Sequence, residues 1–413
     1  MDVVVIGAGI GGLTAALALQ EKGIRCRVFE AAREIRPVGV GINLLPHSTR
    51  ELARLGLEEE LAARAVTTRE NCFFNRFGQL IHREPVGRFA GYDWPQFSIH
   101  RGDLQAVLLR AFLERAGPDR VVTGWRCVGV GEDAAGAVAH FVDAATGAPL
   151  PEQHGDAVIA CDGIHSVVRR QLHPGEGPPK YSGVNMWRGV VPMPPILSGA
   201  SMVRAGWLAT GKMVIYPIRE DVDGRGGQLM NWVAEIETPD HHERDWNRRG
   251  RLEDFIGAFA DWHFDSLDVP AMLRATGTIL EYPMVDQDPL DRWSFGRVTL
   301  LGDAAHPMYP RGSNGAGQAI LDARALADCL AAANDPVEAL AAYEAARLGP
   351  TAAVVLANRT NPPDAILREV YLRTGDRPFA AVEDVITASE LAAMSEGYRR
   401  VAGYDKASLR TPG

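Results

Sequence analysis

The chain of 413 residues exceeds one ordinary domain, and with 46% hydrophobic and 23% charged residues it has a globular composition with material for two or more cores. A formal net charge of −9, with no basic tract to reverse it, argues against a nucleic-acid partner. Five scattered cysteines, odd in number and without a CxxC pair, argue against a disulfide framework and fit a reducing cytoplasm. No apolar run is long enough to span a bilayer, and the apolar start lacks the cationic region of a signal peptide, so no membrane partner is expected.

The chain opens on an apolar strand, Val3-Val4-Val5-Ile6, that runs into Gly7-Ala8-Gly9-Ile10-Gly11-Gly12 and then into a helical pattern. Each glycine has a task in a dinucleotide site. Gly7 permits the tight turn, Gly9 lets backbone approach a pyrophosphate, and Gly12 lets the helix pack close to the strand. The helix N-terminus then presents unpaired N–H groups and partial positive charge to the phosphates. A second strand ends at Glu30, eighteen residues after Gly12, where an acid meets a ribose hydroxyl. That acid would repel a 2′-phosphate, so the unit predicts FAD or NAD rather than NADP.

Two further strands end in acids. Ala157-Val158-Ile159-Ala160 leads to Cys161-Asp162-Gly163, followed by a polar-capped helix start. Val298-Thr299-Leu300-Leu301 leads to Gly302-Asp303, and after it Pro310-Arg311-Gly312-Ser313-Asn314-Gly315 opens another helix. Between them, Met213–Ile218 and Gln228–Ile236 read as strands of an inserted sheet. Two lookalikes are set aside. Asp162, His165 and Ser166 crowd one turn without the GxSxG elbow of a hydrolase, and Asp240-His241-His242-Glu243 lacks HExxH spacing and reads as a solvated loop, so no metal is expected. His47, after Gly41-Ile42-Asn43, is a candidate proton acceptor or a plain polar neighbour of a helix start.

The ordered trio of motifs resembles the class A flavoprotein monooxygenases of the para-hydroxybenzoate hydroxylase fold over nearly the whole chain. Gly39–Asn43, Ser98–Arg101, Met186–Gly189 and Tyr282–Asp286 are most similar to the phenazine-modifying hydroxylases. The resemblance implies an α/β fold: a Rossmann-like FAD-binding domain of residues 1–72, 100–182 and 275–350, an inserted, mostly antiparallel β-sheet substrate domain of 73–99 and 183–274, and a helical C-terminal segment, 351–413. It implies tightly bound, non-covalent FAD, with NAD(P)H as a transient co-substrate for which no second GxGxxG is needed. In cofactor binding, Gly7, Gly9, Gly12 and Glu30 hold the ADP half. Arg101 and Gln105 reach the phosphates or ribityl chain, Asp162 lies near the pyrophosphate, and Asp303 accepts a ribityl hydroxyl. Pro310 flanks the flavin ring, and the backbone of Gly312, Ser313, Asn314 and Gly315 faces its N1/C2 edge, where reduced flavin carries negative charge. The order Gly312-Ser313-Asn314-Gly315 departs from the Gly-x-Gly-x-Asn of many relatives.

The implied reaction inserts one oxygen atom of O2 into an aromatic, phenazine- or hydroxybenzoate-like carboxylate through a C4a-hydroperoxyflavin, with or without loss of the carboxyl group. Trp187, Arg188, Tyr216, Trp232 and Tyr309 are candidate substrate contacts, and Arg188 or Arg204 a bidentate partner for a carboxylate. The other readings are an FAD-dependent dehydrogenase or reductase without oxygen insertion, and a flavin-holding regulatory protein. The expected partners are a small aromatic substrate, O2 and NAD(P)H, in a cytoplasmic monomer or homodimer.

Overall fold

A computed structural model describes residues 1–37, 39–239 and 248–410, with backbone alone at 248; the motif at 240–243 lies outside the described residues. A six-stranded sheet runs in the order Ser294–Phe295, Val298–Leu300, Ala157–Ala160, Asp2–Ile6, Arg25–Glu30, Val121–Thr123. All its pairings are parallel except the outermost, Ser294–Phe295. Its central strands are apolar on both faces because helices cover both, which is why they read as unbroken hydrophobic runs. Val3, Val4, Val5, Val158, Ile159 and Leu300 are all buried. Parallel order has a functional consequence. The strands ending near Gly7, Glu30, Asp162 and Asp303 are direct neighbours, so all four ends open on the same edge of the sheet, where α/β proteins bind ligands.

An eight-stranded, mostly antiparallel sheet is the second unit, in the order Arg248–Arg249, Ile279–Asp286, Lys180–Met193, Gln228–Glu237, Gly211–Arg219, Ser201–Trp207, Glu70–Phe74, Leu80–Pro85. Its alternation sorts two faces. Met213, Ile215, Met230, Trp232 and Ala234 pack outward with Phe255, Phe259 and Trp262 in a separate apolar core. The intervening Lys212, Val214, Tyr216, Asn231, Val233 and Glu235 form the opposite face. The strand Ile279–Asp286 pairs with Lys180–Met193 in this sheet, although the sequence placed it in the segment 275–350 of the FAD domain. Its alternating pattern marks a strand but does not say which sheet recruits it.

The C-terminal part is helical: Pro336–Thr360, Ala365–Thr374, Ala388–Val401 and Lys406–Arg410. The expected architecture is thus observed, a Rossmann-like unit with an inserted mostly antiparallel sheet and a helical C-terminus. Among the described residues no helix is long and apolar enough to cross a membrane, and no cluster of three or more His, Cys, Asp or Glu could hold a metal ion.

Candidate functional site

The first glycine turn is built as a cradle. A Cβ on Gly7 would lie 2.5 Å from the Cys161 carbonyl oxygen, and one on Gly12 would overlap the Gly7 carbonyl oxygen, whereas a Cβ on Gly9 would meet nothing within 4 Å. Gly7 also has φ +99°, which side chains rarely adopt. The three glycines are therefore required for different reasons: Gly7 and Gly12 for packing, Gly9 for open space in front of the turn. Helix Ile10–Glu21 begins at Gly9 with no side-chain cap and no acid in its first turn. Its leading N–H groups are left to an external anion.

Glu30 closes this end of the site. Its Oε2 accepts from the Ala8 amide and its Oε1 from the Ala32 amide, both at 2.8 Å. Gln105, on helix Arg101–Ala116, donates from Nε2 to the Ala8 carbonyl at 2.8 Å, so it braces the turn directly. Arg101 has an exposed side chain running beside Gly39. Asp162 turns inward instead: its Oδ2 accepts from Val167 at 2.8 Å and Val168 at 3.4 Å, at the start of helix Val167–Leu172. Burial pushes its carboxyl up against those hydrogen bonds.

Asp303 is reached by solvent yet enclosed by protein on its other sides, the signature of a residue at the floor of a deep cleft. Desolvation raises its carboxyl, opposed by the charges of His306 and Arg101. Two arginines that sequence reasoning missed, Arg169 buried and Arg347 partly buried, hold the turn. Arg169 donates from Nη1 to the Ala304 and Ala305 carbonyls at 3.0 and 2.7 Å while its other donors grip Glu176. Arg347 donates to Asp322 at 2.7 Å, and Asp322 in turn meets His306 at 2.5 Å.

The turn 309–314 leads into helix Gly315–Ala332 with Ser313 at φ 58°, a left-handed conformation uncommon outside glycine. Asn314 occupies the N-cap position but makes no side-chain cap, and the first turn carries no acid. Its amide is diverted sideways, to His47 Nε2 at 3.1 Å and the Tyr398 hydroxyl at 2.9 Å. A second helix N-terminus is thereby left open toward the cleft, and Gly315 lies close to Asp303 there. His47 is fully buried and desolvation pushes its imidazole down to about 4, so it is neutral at ordinary pH. Pro310 is exposed at the head of this turn.

Among the substrate candidates, the two tryptophans are corrected. Trp187 stacks on Phe255 with ring centroids 4.9 Å apart, and Trp232 is wholly buried with its indole donating to Thr276 at 2.9 Å. Both belong to the outward core, because strand alternation turns them away from the cleft when Asn231 and Val233 face it. Arg188 and Tyr216 do face the first unit: Arg188 donates to the Gly41 carbonyl at 2.9 Å, and Tyr216 lies over Gly41 and engages Arg188 and Asn43. Tyr309 packs on the same face with Met186 and Met284.

A pocket partly open to solvent adjoins the turn at Gly312 and Ser313. Phe73, Tyr398 and Tyr404 supply aromatic walls and Arg204 a buried cation. Arg204 binds Asp364 through Nη1 at 2.7 Å, and Asp364 is shared with the buried Lys212, which also holds Glu235 at 3.0 Å. On its other side Arg204 Nε has no hydrogen-bond partner among the described residues and Nη2 meets only the Met202 sulfur, at 3.4 Å. One fork of a buried guanidinium is thus free of oxygen.

Known proteins match this arrangement along the whole chain. Phenazine 1,6-dicarboxylic acid hydroxylase PhzS of Lysobacter antibioticus is 43% identical over 406 residues, 97% of each chain. The 3-amino-4-hydroxybenzoate 2-monooxygenase of Streptomyces cremeus is 36% identical over 362 residues, 85% of this chain and 84% of that one. The crystal structure of Klebsiella pneumoniae HpxO complexed with FAD and uric acid superposes with a TM-score of 0.77 at 25% identity, covering 100% of this chain and 97% of the other. The FAD binding domain family matches residues 1–358, and the chain belongs to that family.

Proposed function

We propose that the protein is an FAD- and NAD(P)H-dependent monooxygenase that places one oxygen atom of O2 on a small aromatic carboxylate of the phenazine or hydroxybenzoate type. The observation that carries this reading is contiguity: the turn at Gly312 and Ser313 forms part of the wall of an aromatic-lined cavity that also holds the half-free Arg204. A ring lying there has the turn at one edge and a cation at the other. The nature of the aligned hydroxylases supports the same chemistry.

The donor set fits FAD. The open N-terminus after Gly9 and the space in front of it suit the pyrophosphate, and Glu30 suits the adenosine ribose. Arg101 and Asp303 share a cleft wide enough to leave both side chains exposed, which suits the ribityl phosphate region. The uncapped N–H groups beyond Asn314 suit the anionic edge of a reduced flavin, and Pro310 flanks the ring. Asp162 acts through the turn it caps, beside Gly7. We assign residues 1–72, 100–182 and 275–350 chiefly to flavin binding and 73–99 and 183–274 to the substrate, with the strand Ile279–Asp286 transferred to the latter.

When bound, FAD accepts hydride from NAD(P)H and activates O2. The protein's own groups orient and enclose. Arg204 receives the substrate carboxylate on its free fork, and the aromatic walls hold the ring flat, so that a bound ring itself displaces water from the reacting atoms. The balance is ring C–H, O2, NAD(P)H and one proton giving ring C–OH, NAD(P)+ and water. Where the carboxyl group is replaced, ring C–COO⁻ takes the place of ring C–H, a second proton is consumed, and CO2 leaves. The test is stoichiometry with purified yellow protein across phenazine and hydroxybenzoate carboxylates. Equal consumption of NAD(P)H and O2 with a matching hydroxylated product supports the reading; substrate turnover without O2 uptake would move the assignment to a dehydrogenase or reductase.

A further inference from the structure

One tyrosine touches both halves of the proposed site. Tyr398, on helix Ala388–Val401, is 2% exposed and lines the cavity. Its hydroxyl donates to Asn358 Oδ1 at 2.6 Å and accepts from Asn314 Nδ2 at 2.9 Å. The same Asn314 nitrogen donates to the Gly312 carbonyl at 3.0 Å, and Asn358 Nδ2 donates to the Tyr309 carbonyl at 3.2 Å. Any side chain at Gly312 would overlap the Tyr398 phenol. The turn 309–314 is therefore held from the C-terminal side at its start, its middle and its end.

That hold has something to resist. Gly312 and Ser313 both have positive φ, 73° and 58°, and for the serine this costs about 1–2 kcal/mol. Such a conformation persists only where the surroundings over-determine it. The buried phenol does so with both of its hydrogen-bonding roles filled.

We infer that Tyr398 is a positioning residue that fixes the N–H groups of 312–315 against the negative charge arising at the flavin edge on reduction, so that the C-terminal helix joins the substrate cavity to that edge. The inference rests on the functional reading for the placement of flavin and substrate. Tyr398 makes and breaks no bond. Removing its hydroxyl takes one of the two acceptors from the Asn314 amide nitrogen and the phenol donor from the Asn358 oxygen in a buried place, and lets the turn relax. Donors aimed at an anion lose more toward the reduced cofactor than toward the oxidised one.

The experiment compares wild-type and Tyr398→Phe holoenzymes. In the variant, binding of reduced FAD should weaken about tenfold relative to oxidised FAD, a midpoint potential lower by about 30 mV for the two-electron couple. The fraction of NAD(P)H ending as H2O2 should rise at least about threefold, while KM for the ring substrate stays within about twofold, as expected when a transition-state interaction rather than binding is lost. An unchanged potential with an unchanged H2O2 fraction would overturn the inference. Asn358→Ala removes the phenol's acceptor while leaving the tyrosine ring in place, and it should move the potential in the same direction; if Tyr398→Phe yields no holoenzyme, this variant decides. Potentials are measured without substrate, so they are independent of whether wild-type protein oxygenates anything. Shifted potentials in a protein that incorporates no oxygen would keep the role of Tyr398 and refute the monooxygenase.

Discussion

Gly9→Ala and Gly12→Ala form a matched pair, three residues apart in one turn, with opposite predicted consequences for the empty protein. At Gly12 an added Cβ would fall well inside 3.0 Å of the Gly7 carbonyl oxygen, and 3.3 Å from Cys161 Cβ. The obstacle is backbone, so the helix start itself has to move, and overpacking of this kind costs about 1–3 kcal/mol. At Gly9 the same methyl meets nothing within 4 Å and φ is −72°, an ordinary value. The apoprotein loses at most about 1 kcal/mol there, the difference between glycine and alanine at an N-cap. Cofactor binding responds differently. The Gly9 methyl enters the space left for the pyrophosphate, and two charge-assisted hydrogen bonds at about 1.5–3 kcal/mol each are lost or lengthened, weakening FAD by roughly a hundredfold or more. The assay is thermal unfolding of apoprotein alongside FAD titration by fluorescence quenching. Gly9→Ala should keep the melting temperature and lose affinity; Gly12→Ala should lose both. Native FAD affinity in Gly9→Ala, or an unshifted apoprotein melt in Gly12→Ala, would refute the assignment of these glycines.

Three more outcomes follow from individual side chains. Arg204→Met removes the free fork while Lys212 remains on Asp364, and KM for a carboxylate substrate should rise roughly 30- to 150-fold, the loss of about 2–3 kcal/mol from hydrogen bonds to a charge, with little change for the corresponding methyl ester. Trp232→Ala should destabilise the protein by about 3–5 kcal/mol, read by denaturant unfolding, yet leave KM of the folded fraction nearly unchanged, because the indole lies in the outward core. A large KM effect there would restore it to the substrate site. Glu84 is partly buried, which alone would raise its carboxyl, but His82 and the Arg399 guanidinium hold it down at about 2 from an ordinary 4.5. Its contribution is present above pH 4.5 and lost as pH falls toward 2, so wild type should forfeit roughly 3 kcal/mol across that window relative to Glu84→Gln, seen in melts at stepped pH.

The turns proposed to hold the nucleotide were legible because their information is local. Glu30 ends a strand, Gly7, Asp162 and Asp303 follow one within three residues, Gly9 and Gly12 open the helix after the first, and parallel pairing brings strand ends together without further instruction. The substrate half was legible only in part: Arg188, Arg204 and Tyr216 are candidates in the sequence, but the partners that hold the site arrive from distant segments, as where Arg204 meets Asp364 and Tyr398 meets Asn314. No spacing rule announces such encounters. The tryptophans show a narrower failure. Alternation tells which residues share a face but not which face meets the cleft, and aromatic character was the wrong guide. A better signal was present: Asn231 and Glu235 share one phase of their strand, Met230, Trp232 and Ala234 the other, and Lys212 and Tyr216 repeat the division next door. The polar phase is the one that faces a polar cleft.

The central claim is transfer of an oxygen atom from O2 to an aromatic ring, and the most direct measurement is turnover under 18O2 with mass analysis of the product. One heavy oxygen atom is expected in the product hydroxyl, with unlabelled O2 in labelled water giving none. Product carrying its oxygen from water, or oxidised substrate with no new oxygen, would contradict it.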